Sequence, residues 1–170
     1  FNHTVIINLL KKIKNQQNKK RVDIGCGNGS WLCYLRDNTK FNLEGSETDY
    51  TQLSYCKKNH KFAKFYFDDI TKRPKNKFKN YADVLCAIGV NQIFDDQKKI
   101  IKNEISRLKK GGTLIISGIL NSEKVDLLTR YKLIKNKNFT NENYTRGWNI
   151  FSIHSTILIL KSYGLKEIRY

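Results

Sequence analysis

Polar and apolar positions divide the chain into alternating helix-like and strand-like stretches. From Thr4 to Lys14 the apolar residues Val5, Ile6, Leu9, Leu10 and Ile13 share the spacing of one helix face. Asn2 or Thr4 can cap that helix. Asn15–Lys20 is a polar link into a short apolar strand that ends at Ile24. Ser30–Asn38 returns to helical spacing, and Phe41–Glu47 reads as a second strand. Asp49 stands where a helix over Tyr50–Asn59 needs its cap. Lys64–Phe67 is a third strand, and Thr71–Asn80 is a lysine-rich loop holding the single proline, Pro74. Ala82–Ile88 is an unbroken apolar run, as in a parallel strand buried on both faces. Gln97–Leu108 carries Ile100, Ile101, Ile105 and Leu108 as a helix stripe, with Gly111-Gly112 as its stop. Thr113–Ser117 is a fifth strand.

This succession predicts an α/β fold: a doubly wound, mostly parallel sheet with helices on both faces. After Ser117 the pattern weakens. Glu123–Ile134 has partly helical spacing, and Lys135–Asn149 is polar with Phe139, Tyr144 and Trp148 set into it. Ser152–Ser162 is an apolar helix stopped by Gly164, and Leu165–Tyr170 opens a further strand. We expect one domain over 1–170. An N-terminal helix and link occupy 1–20, a ligand-binding core 21–118, a roof over the site 119–154, and a late helix and strand 155–170. The chain has no methionine and stops in a strand-like stretch, so we expect a trimmed sequence.

The densest chemistry lies in Arg21–Ser30, RVDIGCGNGS. A strand runs into Gly25, Gly27 and Gly29, and a helix starts behind them. Glycines let the backbone take positive φ and let a ligand approach the main chain. The helix start adds unpaired N–H groups and the positive end of its dipole. The spacing is D-x-G-x-G-x-G, one residue tighter than the dinucleotide fingerprint, and no Gly-Lys-Ser/Thr follows as in a P-loop.

Composition narrows the class. The chain has 170 residues with 39% hydrophobic content, enough for one globular domain. No apolar run approaches the ~20 residues of a membrane span, and no signal-peptide pattern opens the chain. Cys26, Cys33, Cys56 and Cys86 show no C-x-x-C spacing and form no metal pattern with His3, His60 and His154. We therefore expect reduced thiols, a cytoplasmic protein and no metal. The net charge of +17 admits a polyanionic partner. Lysines are spread along the whole chain, however, and nucleic acid is not the favoured partner.

Asp23-Ile24-Gly25-Cys26-Gly27-Asn28-Gly29 resembles the glycine-rich motif of class I S-adenosylmethionine-dependent methyltransferases. The resemblance extends from about Lys20 to Gly118 and more loosely to Tyr170. It implies that the backbone of Gly25, Cys26, Gly27, Asn28 and Gly29 contacts the amino acid part of S-adenosylmethionine, with Asp23 near its ammonium group. It implies that Glu47, 22 residues after Gly25, grips the ribose hydroxyls. Asp68-Asp69-Ile70 resembles the family's adenine-contacting turn, with either Asp68 or Asp69 as the acid. Ala87-Ile88 ends the strand that lines the same cleft. Asn91-Gln92-Ile93 stand where many members carry Glu-His, so that histidine is missing. His154 and Tyr144 are the candidate bases, each with a plain structural alternative. The implied activity is methyl transfer from S-adenosylmethionine, leaving S-adenosylhomocysteine, to a small-molecule or sugar acceptor. An RNA or protein acceptor, a non-catalytic cofactor-binding protein, and a cofactor half lacking an acceptor domain are the competing readings.

Overall fold

The computed structural model describes residues 3–132 and 144–170. Five parallel strands form the central sheet: β1 (Lys20–Ile24), β2 (Asn42–Glu47), β3 (Lys64–Phe67), β4 (Ala82–Ile88) and β5 (Leu108–Ser117). Their order is β3-β2-β1-β4-β5. The order reverses between β1 and β4, so a crevice opens where these two strands end.

Helices α1 (His3–Lys11), α2 (Ser30–Asn38) and α3 (Tyr50–Asn59) cover one face. Ile6, Ile7 and Leu10 of α1 meet Leu32, Leu35, Leu53, Val84 and Cys86 there in one buried cluster. On the other face, Ile100 of α4 (Gln97–Ile105) packs with Val22, Ile24, Leu85 and Ala87. The last helix, α5 (Ile153–Ser162), lies on α4, where Gln97 Nε2 donates to Thr156 Oγ1 at 3.0 Å.

The crossover from β3 to β4 has no α-helix. It has a 3-10 turn at Asn76–Phe78, and three rings cover the sheet instead. Phe78 stacks on Tyr66 at 4.4 Å and meets Tyr81 edge-on at 5.7 Å. The Tyr81 hydroxyl donates to the buried Glu44 carboxylate at 2.8 Å.

Several sequence expectations need correction. Helix α1 stops at Lys11 rather than Lys14. The Gln16 side-chain amide takes the Leu10 carbonyl at 3.0 Å, and Ile13 N turns back to that same carbonyl. Helix α4 stops at Ile105, and Leu108–Lys110 already belong to β5. Arg107 is the cause. Its side chain turns inward, and its carbonyl accepts from Tyr81 N and Ala82 N. The glycine pair then forms a register shift opposite Ala82 and Val84 rather than a helix stop.

No helix forms over 123–132. Leu127 pairs with Ile150, and β6 (Leu120–Asn121) runs parallel to β9 (Phe151–Ser152). β7 (Arg130–Tyr131) lies antiparallel to β8 (Thr145–Arg146). The backbone N–H and C=O groups of Leu127 and Thr129 pair with residues 147–150, which removes the need for helical pairing there. Helix α5 ends in a Schellman-like turn, with Leu165 N donating to Leu160 O and Gly164 at φ +81°. Residues 165–170 form no strand. Phe139 lies outside the described residues.

Candidate cofactor site

The site begins at the end of β1. Gly25, Gly27 and Gly29 have φ of +63°, +54° and +80°, a region that side chains with a Cβ rarely occupy. At Gly29 space is also lacking, since a Cβ there would stand 2.8 Å from the His60 ring. The turn is fixed from behind by α3. Cys56 Sγ donates to the Gly27 carbonyl at 3.2 Å, and His60 Nε2 donates to the Asn28 carbonyl at 2.9 Å. The Asn28 side chain accepts from Ser30 N and Oγ at the start of α2.

Glu47, at the end of β2, reaches back to this turn. Its Oε2 accepts from Gly27 N at 2.9 Å, while Oε1 accepts from Thr48 N and Asp49 N at 2.7 and 3.0 Å. Asp49 caps α3 through Thr51 N and Gln52 N, as the sequence predicts. The glycine turn, Glu47 and the start of α3 therefore form one hydrogen-bonded wall. Glu47 keeps capacity for a further donor on Oε2.

Asp23 lies beneath this wall and is 3% exposed. Burial pushes its carboxyl up to about 7; the Arg21 guanidinium pulls it down and Glu47 pushes it up. Arg21 is fully buried in the same strand and donates to Cys86 Sγ at 2.9 Å. Its Nε and Nη1 have no hydrogen-bond partner among the described residues.

The two acids after β3 are in different surroundings. Asp68 forms a two-pronged pair with Arg107, at 2.7 and 3.0 Å. Asp69 Oδ1 accepts from Thr71 N and Oγ1, and its Oδ2 lies 3.6 Å from Lys72 Nζ. The side chains of Cys26, Ile70 and Ala87 are buried in the core clusters, so only their backbones are available to a ligand. Ile88 is half-buried at the end of β4.

The stretch after β4 carries residues that sequence reasoning passed over. Gln92 Oε1 accepts from Ile119 N, and the Gln92 carbonyl accepts from Asn149 N. Asn149 is fully buried; its side chain accepts from Thr129 N and donates to Phe94 O and Asp95 Oδ1. Asp95 also holds Arg130 at 2.9 Å and Arg146 at 3.2 Å. The Asn149 amide and these guanidiniums hold its carboxyl below the usual carboxylate range. Asn149 and Asp95 thus fasten β7 and β8 to the end of β4. A buried asparagine inside a polar stretch has no periodic signature, which is why pattern reading missed it.

Apolar side chains of this fastened segment stand exposed, including Leu127, Leu128, Tyr131, Tyr144 and Trp148, the last at 66%. His154 is exposed on the first turn of α5, and its N–H donates to the capping Ser152 hydroxyl. Neither His154 nor Tyr144 has a hydrogen bond linking it to the glycine turn or Glu47 among those described. Among the described residues no group of three or more His, Cys, Asp or Glu could hold a metal ion. No described helix is long and apolar enough to cross a membrane.

Comparison with known proteins agrees with this geometry. The profile of a family described as a methyltransferase domain matches residues 2–169. The ribosomal protein L11 methyltransferase of Campylobacter lari is 29% identical over 111 residues, which is 65% of this chain and 38% of that protein. The chain therefore spans well under half of that relative's length. A Haloferax volcanii methyltransferase solved with the activator Trm112 superposes at a TM-score of 0.70 with 16% identity, covering 98% of this chain and 69% of its own. The sugar N-methyltransferase KedS8 of Streptoalloteichus superposes at 0.67 with 11% identity, covering 95% and 77%. With the family match over nearly its whole length, and the five-stranded parallel sheet beneath the glycine turn, the chain belongs to the class I S-adenosylmethionine-dependent methyltransferases.

Proposed function

We propose that the protein transfers a methyl group from S-adenosylmethionine to a small-molecule or sugar acceptor. The observation that carries this reading is the hydrogen bond from Gly27 N to Glu47 Oε2 at 2.9 Å. It joins the two segments that would hold the amino acid and ribose parts of the cofactor into one wall. The positive φ of Gly27 and the spare capacity of Glu47 Oε2 fit such a ligand.

When bound, S-adenosylmethionine supplies an activated methyl group on a sulfonium. The chain's own residues bind and align. The glycine turn offers main-chain contacts, Asp23 holds the ammonium group, and Glu47 accepts from a ribose hydroxyl. Asp69 is the better candidate for the adenine amino group, because both oxygens of Asp68 are engaged by Arg107. Alignment of two bound reactants is worth about 7–11 kcal/mol, so the scheme needs no residue as a base. His154 and Tyr144 stay candidates for acceptors of high pKa.

The acceptor assignment rests on charge and on the roof. Glu47, Asp49 and Asp96 lie where the strands end. They would oppose a polyanion but suit a cationic cofactor. The exposed side chains of Leu127, Leu128, Tyr131, Tyr144 and Trp148 offer a contact surface for a small or sugar-like molecule. A protein acceptor is the second reading, favoured by the name of the Campylobacter lari relative. Mass spectrometry after incubation with S-adenosylmethionine and separate pools of amino sugars, small amines, ribosomal proteins and RNA tests the choice. Methylation of the protein pool alone would reverse it, and no methylation with intact cofactor binding would point to a non-catalytic protein.

Two further outcomes are expected. Trp148→Ala should raise the acceptor KM severalfold and leave the affinity for S-adenosylhomocysteine and the Tm nearly unchanged, because the ring is 66% exposed. A large drop in Tm would make Trp148 a packing residue. The second concerns pH. Burial pushes the Asp23 carboxyl up to about 7, so its ionised form, which holds an ammonium group, grows as the pH rises through the neutral range. Affinity for S-adenosylhomocysteine should therefore rise with pH through that value, and the rise should vanish in Asp23→Asn. Calorimetric titrations between about pH 5.5 and 8.5 check this; a flat profile for the unmodified chain sinks the role of Asp23.

A further inference from the structure

All five strands run parallel, so all five begin at one end of the sheet and the glycine turn lies at the other. Charge is divided between these ends. At the end where strands begin, Lys40 precedes β2, Lys64 opens β3, Lys79 precedes β4, and Lys109-Lys110 lie in the opening of β5. Lys12, Lys14 and Lys19 lie on the link from α1 to β1. The acids in these strand-opening segments are Asp37, Asp83 and Glu104. Asp37 pairs with Arg36 at 2.7 Å and Asp83 with Lys109 at 2.8 Å. Glu104 is fully buried against Asn91. No acid there is left to neutralise the other lysines.

Helix dipoles explain part of this. Lysines in the last turns of α3 and α4, such as Lys57, Lys58 and Lys102, suit the negative helix ends. Lys14, Lys40, Lys64 and Lys79 stand outside the helices and have no such reason. Beside Lys40, one of these four, a cleft of ≈ 460 Å³ opens; Lys11, Asp37 and the amides Asn15, Gln16, Gln17 and Asn38 line it. Two cations and four amides, with Asp37 held by Arg36, suit phosphates together with the hydrogen-bonding edges of unpaired bases and a 2′-hydroxyl. None of the large exposed apolar side chains lies within residues 10–20, 36–42, 57–64, 75–83 or 102–113. A membrane surface or an apolar protein interface would want some there.

We propose that this end of the molecule, opposite the cofactor site, is a docking face for single-stranded RNA. Lysines take the phosphates, and the amide-lined cleft takes a base and its ribose. Outside the cleft the face is sequence-tolerant, because lysines contact the backbone and read no base edges. It holds the polyanion away from Glu47 and Asp49 beside the glycine turn, so RNA is the anchor and not the methyl acceptor.

The test is fluorescence anisotropy with a labelled oligouridylate of about 15 nucleotides, read between about 50 and 200 mM salt. The triple variant Lys14→Ala/Lys40→Ala/Lys64→Ala is compared with Lys98→Ala/Lys99→Ala/Lys124→Ala, whose exposed lysines lie on the first turn of α4 and beyond β5. Thermal melting and S-adenosylhomocysteine titration confirm that both variants keep their fold and their cofactor site. The first variant should lose about tenfold in affinity at the lower salt. Its log–log salt slope should shrink by about 2, at about 0.7 per phosphate contact. The second should stay within about twofold. Absence of binding by the unmodified chain, or equal losses in both variants, would overturn the docking face. Equal affinity for duplex RNA or for oligothymidylate would overturn the single-strand or the RNA assignment. Binding to phosphatidylserine vesicles without binding to the oligouridylate would make the face a membrane contact instead.

Discussion

Glu47→Gln should weaken S-adenosylhomocysteine binding by more than tenfold, nearly as much as Glu47→Ala. The alanine variant removes the acceptor for Gly27 N, Thr48 N and Asp49 N together with the proposed ribose contact. Charge-assisted hydrogen bonds are worth about 1.5–3 kcal/mol each, and about 1.4 kcal/mol already corresponds to tenfold in affinity. The glutamine variant keeps the shape but replaces one oxygen with an NH₂ group. Whichever way the amide turns, a donor then faces a donor: Gly27 N on one side, or Thr48 N and Asp49 N on the other. Calorimetry gives the affinity, and circular dichroism confirms that β2 and α3 persist. An affinity within twofold of the unmodified chain would leave Glu47 as a turn residue only.

Arg107→Ala should destabilise the domain by about 3–5 kcal/mol, the usual cost of leaving one half of a buried ion pair unpaired. The pair qualifies by burial, with side-chain exposures of 3% for Arg107 and 10% for Asp68. Arg107 also donates to the carbonyls of Asn103, Asp69 and Lys72, so the turn after β3 loses its anchor at the same time. Cofactor affinity should fall along with stability, through displacement of Asp69. The double variant Arg107→Leu/Asp68→Leu should recover most of the stability, because two apolar side chains leave no charge unpaired. Urea unfolding of the three proteins measures this. A loss below about 1 kcal/mol for Arg107→Ala would mean that the pair is hydrated.

Arg107 and Glu47 also mark where sequence reading succeeds and where it stops. The five strands and the glycine turn were legible because their constraints act locally. Positive φ narrows the choice of residue almost to glycine, and a strand buried on both faces must be continuously apolar. Glu47 was legible because its offset from Gly25 fixes it at the end of the next strand. Arg107 was hidden: a basic residue near a helix end looks solvated until Asp68, 39 positions earlier, is folded against it. The same holds for Asn149, whose partners Gln92, Asp95 and Thr129 come from two distant stretches. The apolar residues of 123–132 suggested a helix because spacing alone cannot report that a neighbouring segment has taken the backbone hydrogen bonds.

The crossover from β3 to β4 has an evolutionary consequence. A helix at that position would accept new residues only in whole turns, since any other number rotates its buried face away from the sheet. Here the chain is pinned at separate points instead: by Arg107 at Asp69 and Lys72, and by the Phe78 and Tyr81 rings. Between Lys72 and Phe78 no large side chain is buried. Doubling the length of such a tether costs only about 0.6 kcal/mol in closure entropy. Lineages carrying this crossover are therefore free to lengthen it residue by residue, and so to build new structure beside the adenine end of the cleft without disturbing the sheet.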